Sequence, residues 1–262
     1  MSPLFTSGHL TANGLNMYHE IHGADNGGTP LVLIHGGGST ITTTFGEVLP
    51  MVAKSKKVIA LELQGHGRTK DIGRPEYTFE DDADDVAALL SQLNIKQADF
   101  LGFSNGGNTA MQIAIRHSEL VRKLIVASGF YKRDGMQPQF WEFMNKGSIA
   151  DMPQALKDDY LKVTNDPAGL IIMHDKDAHR MLNFKDWADT SLQTIKAPTL
   201  ILIGDQDVMT PEHAVAMYRL IPDARLSILP GGHGEYLGEI TFTKKDVVLI
   251  TYTVSIVEKF LK

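Results

Sequence analysis

Short runs of nearly uninterrupted apolar residues recur along this chain. Each run ends at a glycine-rich or polar junction, and a longer segment with helical spacing of its apolar residues usually follows. Such strands are expected where helices cover both faces of a parallel sheet, so the alternation predicts a three-layer α/β fold with a mostly parallel sheet. The runs are Leu31 to His35, Val58 to Leu63, Phe100 to Phe103, Leu124 to Ala127, Leu200 to Ile203 and Leu226 to Leu229.

Local signals add a hairpin and several helices to this pattern. Asn13-Gly14 lies between two short extended segments, and this dipeptide favours a two-residue hairpin turn. Thr78 and Thr210 each precede a segment with helical spacing, and both are predicted to cap the helix that follows. The apolar spacing from Val247 to Leu261 predicts a C-terminal helix.

The segment between Tyr131 and about Lys196 contains no strand-like run. It holds both tryptophans of the chain together with clustered phenylalanine and methionine residues. Aromatic clusters of this kind usually pack helices onto the body of a protein, but long insertions at strand ends often form a cap over a ligand crevice. These two interpretations are compatible.

One motif stands out as a candidate for chemistry. Residues 102–106 read Gly-Phe-Ser-Asn-Gly and contain the pattern Gly-x-Ser-x-Gly, which alone is a weak signal. Here an apolar strand precedes Ser104 and a helix follows it directly, which is the setting of a strained turn that exposes the serine hydroxyl above a sheet. A serine hydroxyl becomes a nucleophile only when a base takes its proton and an acid orients that base.

Composition narrows the possible chemistry. The 262 residues include no cysteine, which excludes a disulfide framework, a thiolate metal site and a cysteine nucleophile. A net charge of −6, from 31 acidic and 25 basic residues, argues against an extended nucleic-acid surface. No segment approaches the roughly 18 apolar residues of a membrane span, and residues 1–7 lack the pattern of a signal peptide. We expect a cytoplasmic protein, monomeric or homodimeric, that acts on a small molecule.

The base and the acid have candidates on loops after strands. His233 lies four residues beyond the run that ends at Leu229, within a glycine-rich loop, and is the predicted base. No histidine lies in a metal-ligand spacing, so neither a metal nor another cofactor is expected. Asp205 and Asp207 both follow the run that ends at Ile203, and their spacing does not separate them as candidates for the acid.

A glycine-rich loop follows the first apolar run. It lacks the patterns Gly-x-Gly-x-x-Gly and Gly-Lys-Ser/Thr of nucleotide sites, and its backbone amides better suit an oxyanion hole. We expect one donor to be the amide of Gly37, with Gly38 as the alternative, and the other to be the amide of Asn105. His35 is expected to bond the backbone of this loop rather than to act as a second base.

Five motifs, taken in chain order, resemble those of the α/β-hydrolase family over nearly the whole chain. They are His-Gly-Gly-Gly from His35, Gln-Gly-His-Gly from Gln64, Gly-Phe-Ser-Asn-Gly-Gly around Ser104, Gly-Asp-Gln-Asp ending at Asp207 and Gly-Gly-His ending at His233. The resemblance implies an eight-stranded, mainly parallel sheet with a helical cap at residues 131–195, inserted in a core of residues 1–130 and 196–262. It also implies that Asp207 is the acid. The family's usual Asp-x-Arg-Gly-His-Gly is Glu-Leu-Gln-Gly-His-Gly here, a departure in a structural turn.

The resemblance also narrows the reaction. Family members that carry aspartate at the position of Ser104 resemble haloalkane dehalogenases and epoxide hydrolases, so the serine argues against both of these activities. The same motif is similar to that of carboxylesterases, enol-lactonases, carbon–carbon bond hydrolases and cofactor-free perhydrolases, and no residue decides among them. We expect a serine hydrolase of carboxylic esters or lactones. The alternatives are a carbon–carbon bond hydrolase, a cofactor-free perhydrolase, and a ligand receptor that retains the triad of Ser104, His233 and Asp207. The candidate substrate contacts are Gly38, Phe130, Trp141, Phe143, Met144 and Trp187.

Overall fold

The computed structural model describes residues 5–262 of the chain. Residues 1–4, on which the expectation about a signal peptide partly depends, lie outside the described residues. The strands are β1 (Phe5–Ala12), β2 (Leu15–His22), β3 (Leu31–Ile34), β4 (Val58–Leu61), β5 (Ala98–Phe103), β6 (Val121–Ala127), β7 (Thr199–Gly204) and β8 (Ala224–Leu229).

These strands form one eight-stranded sheet in the order β1-β2-β4-β3-β5-β6-β7-β8. β1 and β2 form an antiparallel hairpin, β2 pairs antiparallel with β4, and all other neighbouring pairs are parallel. The predicted mostly parallel sheet is therefore confirmed. The hairpin turn at Asn13 and Gly14 has φ of 50° and 82°, the positive values that a type I′ turn requires.

The helices are α1 (Ile41–Phe45), α2 (Val48–Val52), α3 (Phe79–Gln92), α4 (Asn105–Arg116), α5 (Pro138–Lys146), α6 (Gln154–Thr164), α7 (Pro167–Leu182), α8 (Asp189–Gln193), α9 (Pro211–Leu220) and α10 (Val247–Leu261). The predicted caps are present, because the side chain of Thr78 accepts the amide of Asp81 and that of Thr210 accepts the amide of His213. The C-terminal helix spans the predicted residues.

Two apolar clusters cover the two faces of the sheet. One packs α3, α4, α8 and α9 on one side, and the other packs α1, α2 and α10 on the opposite side. Helix, sheet and helix layers thus follow from strands that are apolar on both faces. Two strands are shorter than their apolar runs, since β3 ends before His35 and β4 ends at Leu61. The reason is local, because the side chain of His35 bonds the loop backbone and the chain turns after Leu61.

The register of the sheet brings several loops to one edge. Ile34 of β3 lies opposite Gly102 of β5, Phe103 of β5 opposite Ala127 of β6, and Gly204 of β7 opposite Leu229 of β8. Because these strands are parallel, the loops that leave them meet at the carboxyl edge of the sheet, where ligand sites of α/β folds form.

Residues 131–195 contain the helices α5 to α8 and no strand. Part of this segment forms a small cluster of its own, around Met152, Tyr160 and Met173. Other side chains of the segment, such as Phe184 and Leu192, belong to the main core. Among residues 5–262, no helix has the length and hydropathy that crossing a membrane requires.

Candidate active site

Ser104 occupies a strained turn between β5 and α4. Its backbone has φ of 54° and ψ of −123°, a conformation that costs a non-glycine residue free energy and recurs at functional sites. The turn depends on the absence of side chains at both glycines of the motif. A Cβ at Gly102 would overlap the carbonyl of Gly106, and one at Gly106 would overlap the carbonyl oxygen of Ile34.

Three of the predicted residues come together at this turn. Nε2 of His233 lies 3.0 Å from Oγ of Ser104, and Nδ1 of His233 lies 2.7 Å from Oδ1 of Asp207. Asp205 points elsewhere and accepts the amide of Gly231 at 2.9 Å. The structure thus separates the two acids that spacing left open, and it places Asp207 against the histidine.

Further hydrogen bonds hold the buried carboxylate of Asp207 in place. Oγ of Ser128 donates to Oδ2 at 2.5 Å, and the amide of Met209 donates to Oδ1 at 3.2 Å. Burial alone would raise the carboxyl pKa, but His233 and these donors outweigh it and hold the pKa of Asp207 below its usual range. Burial disfavours the imidazolium of His233, yet the attraction of Asp207 prevails and raises the pKa of His233. The geometry therefore favours an ionised acid beside a basic imidazole.

The candidate oxyanion donors lie beside the serine. Gly37 and Asn105 both line the cavity above Ser104, and their amides bond no other described residue. The amide of Gly38 is occupied, since it donates to Oδ2 of Asp177 at 2.8 Å. Of the two amides proposed from the glycine loop, only that of Gly37 is available to a ligand.

The side chain of His35 forms hydrogen bonds with backbone groups, as expected. Its Nδ1 lies 2.7 Å from the carbonyl oxygen of Gly36, and its Nε2 accepts the amide of Leu63 at 3.1 Å. Burial lowers the pKa of His35 to about 3, so the ring is neutral at physiological pH.

Sequence reasoning missed a buried charged cluster beside the glycine loop. Its centre is Asp177 of α7, whose Oδ2 lies 3.3 Å from Nε2 of His66 and whose Oδ1 is 3.4 Å from Nδ2 of Asn105. The guanidinium of Arg180, one helical turn later, donates to the same carboxylate. Burial opposes ionisation of Asp177, but Arg180 and His66 outweigh it and hold its pKa well below the usual range.

The same guanidinium reaches a second acid. Nη1 of Arg180 donates to Oδ2 of Asp82 on α3 at 2.6 Å, which ties the inserted segment to the body of the protein. The spacing of Asp177 and Arg180 on one helix face was the only signal in the sequence, and many exposed helices carry such pairs.

A cavity of about 450 Å³ lies above Ser104. Gly38, Phe130, Phe143 and Met144, four of the predicted substrate contacts, line it. Ten of its lining residues are phenylalanine or methionine, whose side chains suit an apolar ligand. These are Phe103, Phe130, Phe140, Phe143, Phe242, Met136, Met144, Met152, Met173 and Met181.

The two tryptophans do not line this cavity, which corrects the expectation that they contact substrate. Nε1 of Trp141 donates to the carbonyl of Arg133 at 2.9 Å, and the guanidinium of Arg133 lies 3.8 Å from the ring centroid. Trp187 packs edge-on against Phe79, with ring centroids 6.1 Å apart. Both indoles are used to pack the segment onto the body, the role that aromatic clusters usually have.

The described part of the chain, residues 5–262, contains no group of three or more histidine, aspartate or glutamate side chains placed to hold a metal ion.

Comparisons with known proteins point in the same direction as the motifs. A family model described as "alpha/beta hydrolase fold" matches residues 29–184, more than half of the chain. The chain is 28% identical over 204 residues to the 2-hydroxymuconate semialdehyde hydrolase of Pseudomonas sp. (strain CF600), covering 70% of this chain and 72% of that protein. It is 27% identical over 229 residues to a pimeloyl-[acyl-carrier protein] methyl ester esterase of Neisseria meningitidis, covering 78% and 86%.

Among solved structures, the chain is similar to a mutant of the meta-cleavage product hydrolase CumD of Pseudomonas fluorescens IP01, complexed with acetates. The TM-score is 0.77 at 21% identity, and the match covers 98% of this chain and 97% of that one. At 21% identity, this structural similarity supports the fold alone.

Proposed function

Because this chain belongs to the α/β-hydrolase fold family, we propose that it is a serine hydrolase that cleaves carboxylic esters or lactones through an acyl-enzyme on Ser104. The observation that carries the proposal is the unbroken series of contacts from Oγ of Ser104 through His233 to Asp207, at 3.0 and 2.7 Å. Nucleophile, base and orienting acid are the three roles that such an activity requires.

The first half of the proposed reaction forms the acyl-enzyme. Oγ of Ser104 bonds to the substrate carbonyl carbon while Nε2 of His233 takes the hydroxyl proton, and Asp207 stabilises the resulting imidazolium. The carbonyl oxygen becomes an oxyanion that the amides of Gly37 and Asn105 can bind, a contribution of about 10²–10³ in rate per donor. When the carbon–oxygen bond breaks, the imidazolium returns its proton to the departing alkoxide.

The second half repeats the steps with water. His233 takes a proton from a water molecule whose oxygen bonds to the acyl carbon, and the second oxyanion uses the same two amides. Collapse of this intermediate breaks the bond to Oγ, and the proton on His233 returns to Ser104. The carboxylic acid leaves and the free enzyme is regenerated.

We also propose that residues 131–195 act as a helical cap on the core formed by residues 1–130 and 196–262. The support is the composition of the cavity wall. Met144, Met152 and Met173 come from the inserted segment, whereas Phe103 and Ser104 come from the sheet edge below. Substrate bound between these two parts would be shielded from water.

The test is turnover of p-nitrophenyl butyrate by the wild-type chain and by Ser104→Ala. Loss of the nucleophile is expected to lower kcat by about 10⁴-fold or more. The matched control is Ser255→Ala, since Ser255 is exposed on α10 and bonds only the carbonyl of Thr251 among the described residues. Equal rates for wild type and Ser104→Ala would contradict the proposal. Product release that stops after about one equivalent per chain would instead indicate the receptor alternative.

A carbon–carbon bond hydrolase is the second candidate, and the relative named 2-hydroxymuconate semialdehyde hydrolase favours it. The same serine, histidine and oxyanion donors could serve that reaction. The two candidates separate when kcat/KM for 2-hydroxymuconate semialdehyde and for p-nitrophenyl butyrate are measured on one enzyme preparation. A higher value for the semialdehyde would favour the second candidate.

A further inference from the structure

The charged groups around the cavity are unevenly distributed. Its lining includes two carboxylates, Asp177 and Glu239, and two histidines, His174 and His233. Within residues 5–262, no lysine or arginine lines the cavity. Apart from these two histidines, the described wall therefore carries no side chain that can be cationic.

The nearest guanidinium is engaged elsewhere. Arg180 lies behind Asp177, its side chain is only 4% exposed, and it donates to the carboxyl groups of Asp177 and Asp82. Asp177 lines the cavity, whereas Arg180 does not. Arg180 stabilises the ionised form of Asp177, but it is not placed to bind a ligand anion.

The second acid is also fixed. Glu239 is 5% exposed, and its carboxylate accepts the amide of Thr241 at 2.8 Å and the hydroxyl of the same residue. These neutral donors hold the side chain in place, and within residues 5–262 its carboxylate forms no ion pair with a lysine or arginine, although it attracts the imidazolium of His233 and helps to raise the pKa of His233. The ammonium of Lys245 donates to the backbone carbonyl of Glu239 at 2.7 Å, not to its carboxylate.

A carboxylate on a substrate would find this cavity unfavourable. As it entered, it would lose its water of hydration in a site rich in phenylalanine and methionine, where no lysine or arginine of the described residues lines the wall to compensate for that loss. It would also be repelled by Asp177 and Glu239, and like charges of this kind reject a ligand even when its shape fits. An uncharged group of the same shape loses little in the same transfer and gains contact with the apolar wall.

We propose, resting on the ester hydrolase activity inferred above, that the site selects substrates whose part bound in the cavity is uncharged and rejects those that place a carboxylate in it. The selectivity comes from a cavity wall that carries two carboxylates and, within the described residues, no lysine or arginine. It bears directly on the second candidate function, because a muconate semialdehyde is an anion at neutral pH.

The direct test uses two esters that differ in one charge. These are p-nitrophenyl methyl glutarate, which is neutral, and p-nitrophenyl hydrogen glutarate, whose acyl chain ends in a carboxylate. We expect kcat/KM to be about 10²-fold higher for the neutral ester, in line with the cost of an unpaired buried charge. Values within about threefold of each other would overturn the charge selection.

A binding measurement separates this inference from the proposed function. Ser104→Ala is titrated by calorimetry with methyl 5-oxohexanoate and with 5-oxohexanoate, which reproduce the two acyl chains as methyl ketones. Tighter binding of the neutral ketone supports charge selection even if neither ester is hydrolysed, an outcome that would contradict only the esterase activity. Equal or tighter binding of the anion overturns the charge selection whether or not the esters are hydrolysed.

Variants of Asp177 and Glu239 test whether these two carboxylates cause the selection against charged substrates. Asp177→Asn removes one negative charge while its amide oxygen can still accept the amide of Gly38, and we expect the neutral-to-anionic ratio of kcat/KM to fall about tenfold. Glu239 does not contact Arg180, and Glu239→Gln is also expected to lower this ratio. Asp158→Asn is the matched control, since it makes the same formal charge change on the exposed face of α6, away from the cavity, and among the described residues its side chain accepts only the side-chain amide of Gln154. A ratio unchanged in both wall variants would overturn the proposal.

Discussion

Two buried aspartates, Asp207 and Asp177, each contact a histidine beside the cavity, and the two pairs differ in what the histidine can reach. In the first pair, His233 contacts Asp207 through Nδ1 and faces Ser104 with Nε2, and its side chain is 28% exposed. In the second pair, His66 lies 3.3 Å from Asp177, and its side chain is 1% exposed.

The backbone accounts for the difference. Nδ1 of His66 lies 3.0 Å from the carbonyl oxygen of Gln64, and Nε2 lies 3.2 Å from the amide nitrogen of Gly38 as well as near Asp177. Both ring nitrogens are therefore occupied by the fold. An aspartate–histidine pair can serve as a base only where one nitrogen is left facing a nucleophile, and that condition separates the pair that we propose to be reactive from the second pair.

The largest effect is expected when the acid of the pair that we propose to be reactive is neutralised. Asp207→Asn is expected to lower kcat for p-nitrophenyl butyrate by about 10⁴-fold, because the amide favours the wrong tautomer of His233 and cannot stabilise the imidazolium. Steady-state kinetics measures the effect.

The matched control is two residues away on the same loop. Asp205→Asn is expected to change kcat by less than about threefold, since Asp205 is exposed and accepts only the amide of Gly231. The reverse order of the two losses would show that the reactive pair has been misassigned.

The second pair is expected to matter more for stability. Asp177→Ala would leave the buried guanidinium of Arg180 with Asp82 as its one acidic partner, and breaking a buried ion pair costs about 3 kcal/mol of unfolding free energy. Urea denaturation followed by circular dichroism measures this loss. Asp175→Ala, on the exposed face of the same helix, should stay within about 0.5 kcal/mol of wild type. An Asp177→Ala chain as stable as wild type would remove the distinction between the pairs.

The sequence predicted the first pair far better than the second, and the reason is topological. Apolar runs indicate parallel strands, and the carboxyl ends of such strands share one edge, so residues on the loops after them are brought together whatever their separation. Ser104 and His233 are 129 residues apart, yet both follow such strands and are in contact. The choice between Asp205 and Asp207 needed the family pattern, because both lie on the correct loop.

The second pair depends on how the inserted helices pack, which periodicity does not encode. Asp177 and Gly38 are 139 residues apart, and nothing in their spacing places one helix of the insertion above the glycine loop. The same limit explains the error over Trp141 and Trp187. An apolar residue in a helical segment is predicted to be covered, but the pattern does not distinguish a side chain that packs on the body from one that lines a cavity.

A smaller effect, in the pH dependence of kcat/KM, sharpens the assignment of the base. The pKa of His233 is raised above its ordinary value of 6.5 because Asp207 outweighs the effect of burial. Only the neutral imidazole can accept the serine proton, so kcat/KM is expected to fall about tenfold per pH unit below that raised pKa and to level off above it. In the residual activity of Asp207→Asn the same inflexion should move to lower pH, since the carboxylate that favours the imidazolium is gone. An inflexion below pH 6.5 in the wild type, or one that Asp207→Asn leaves in place, would mean that a different group limits the rate.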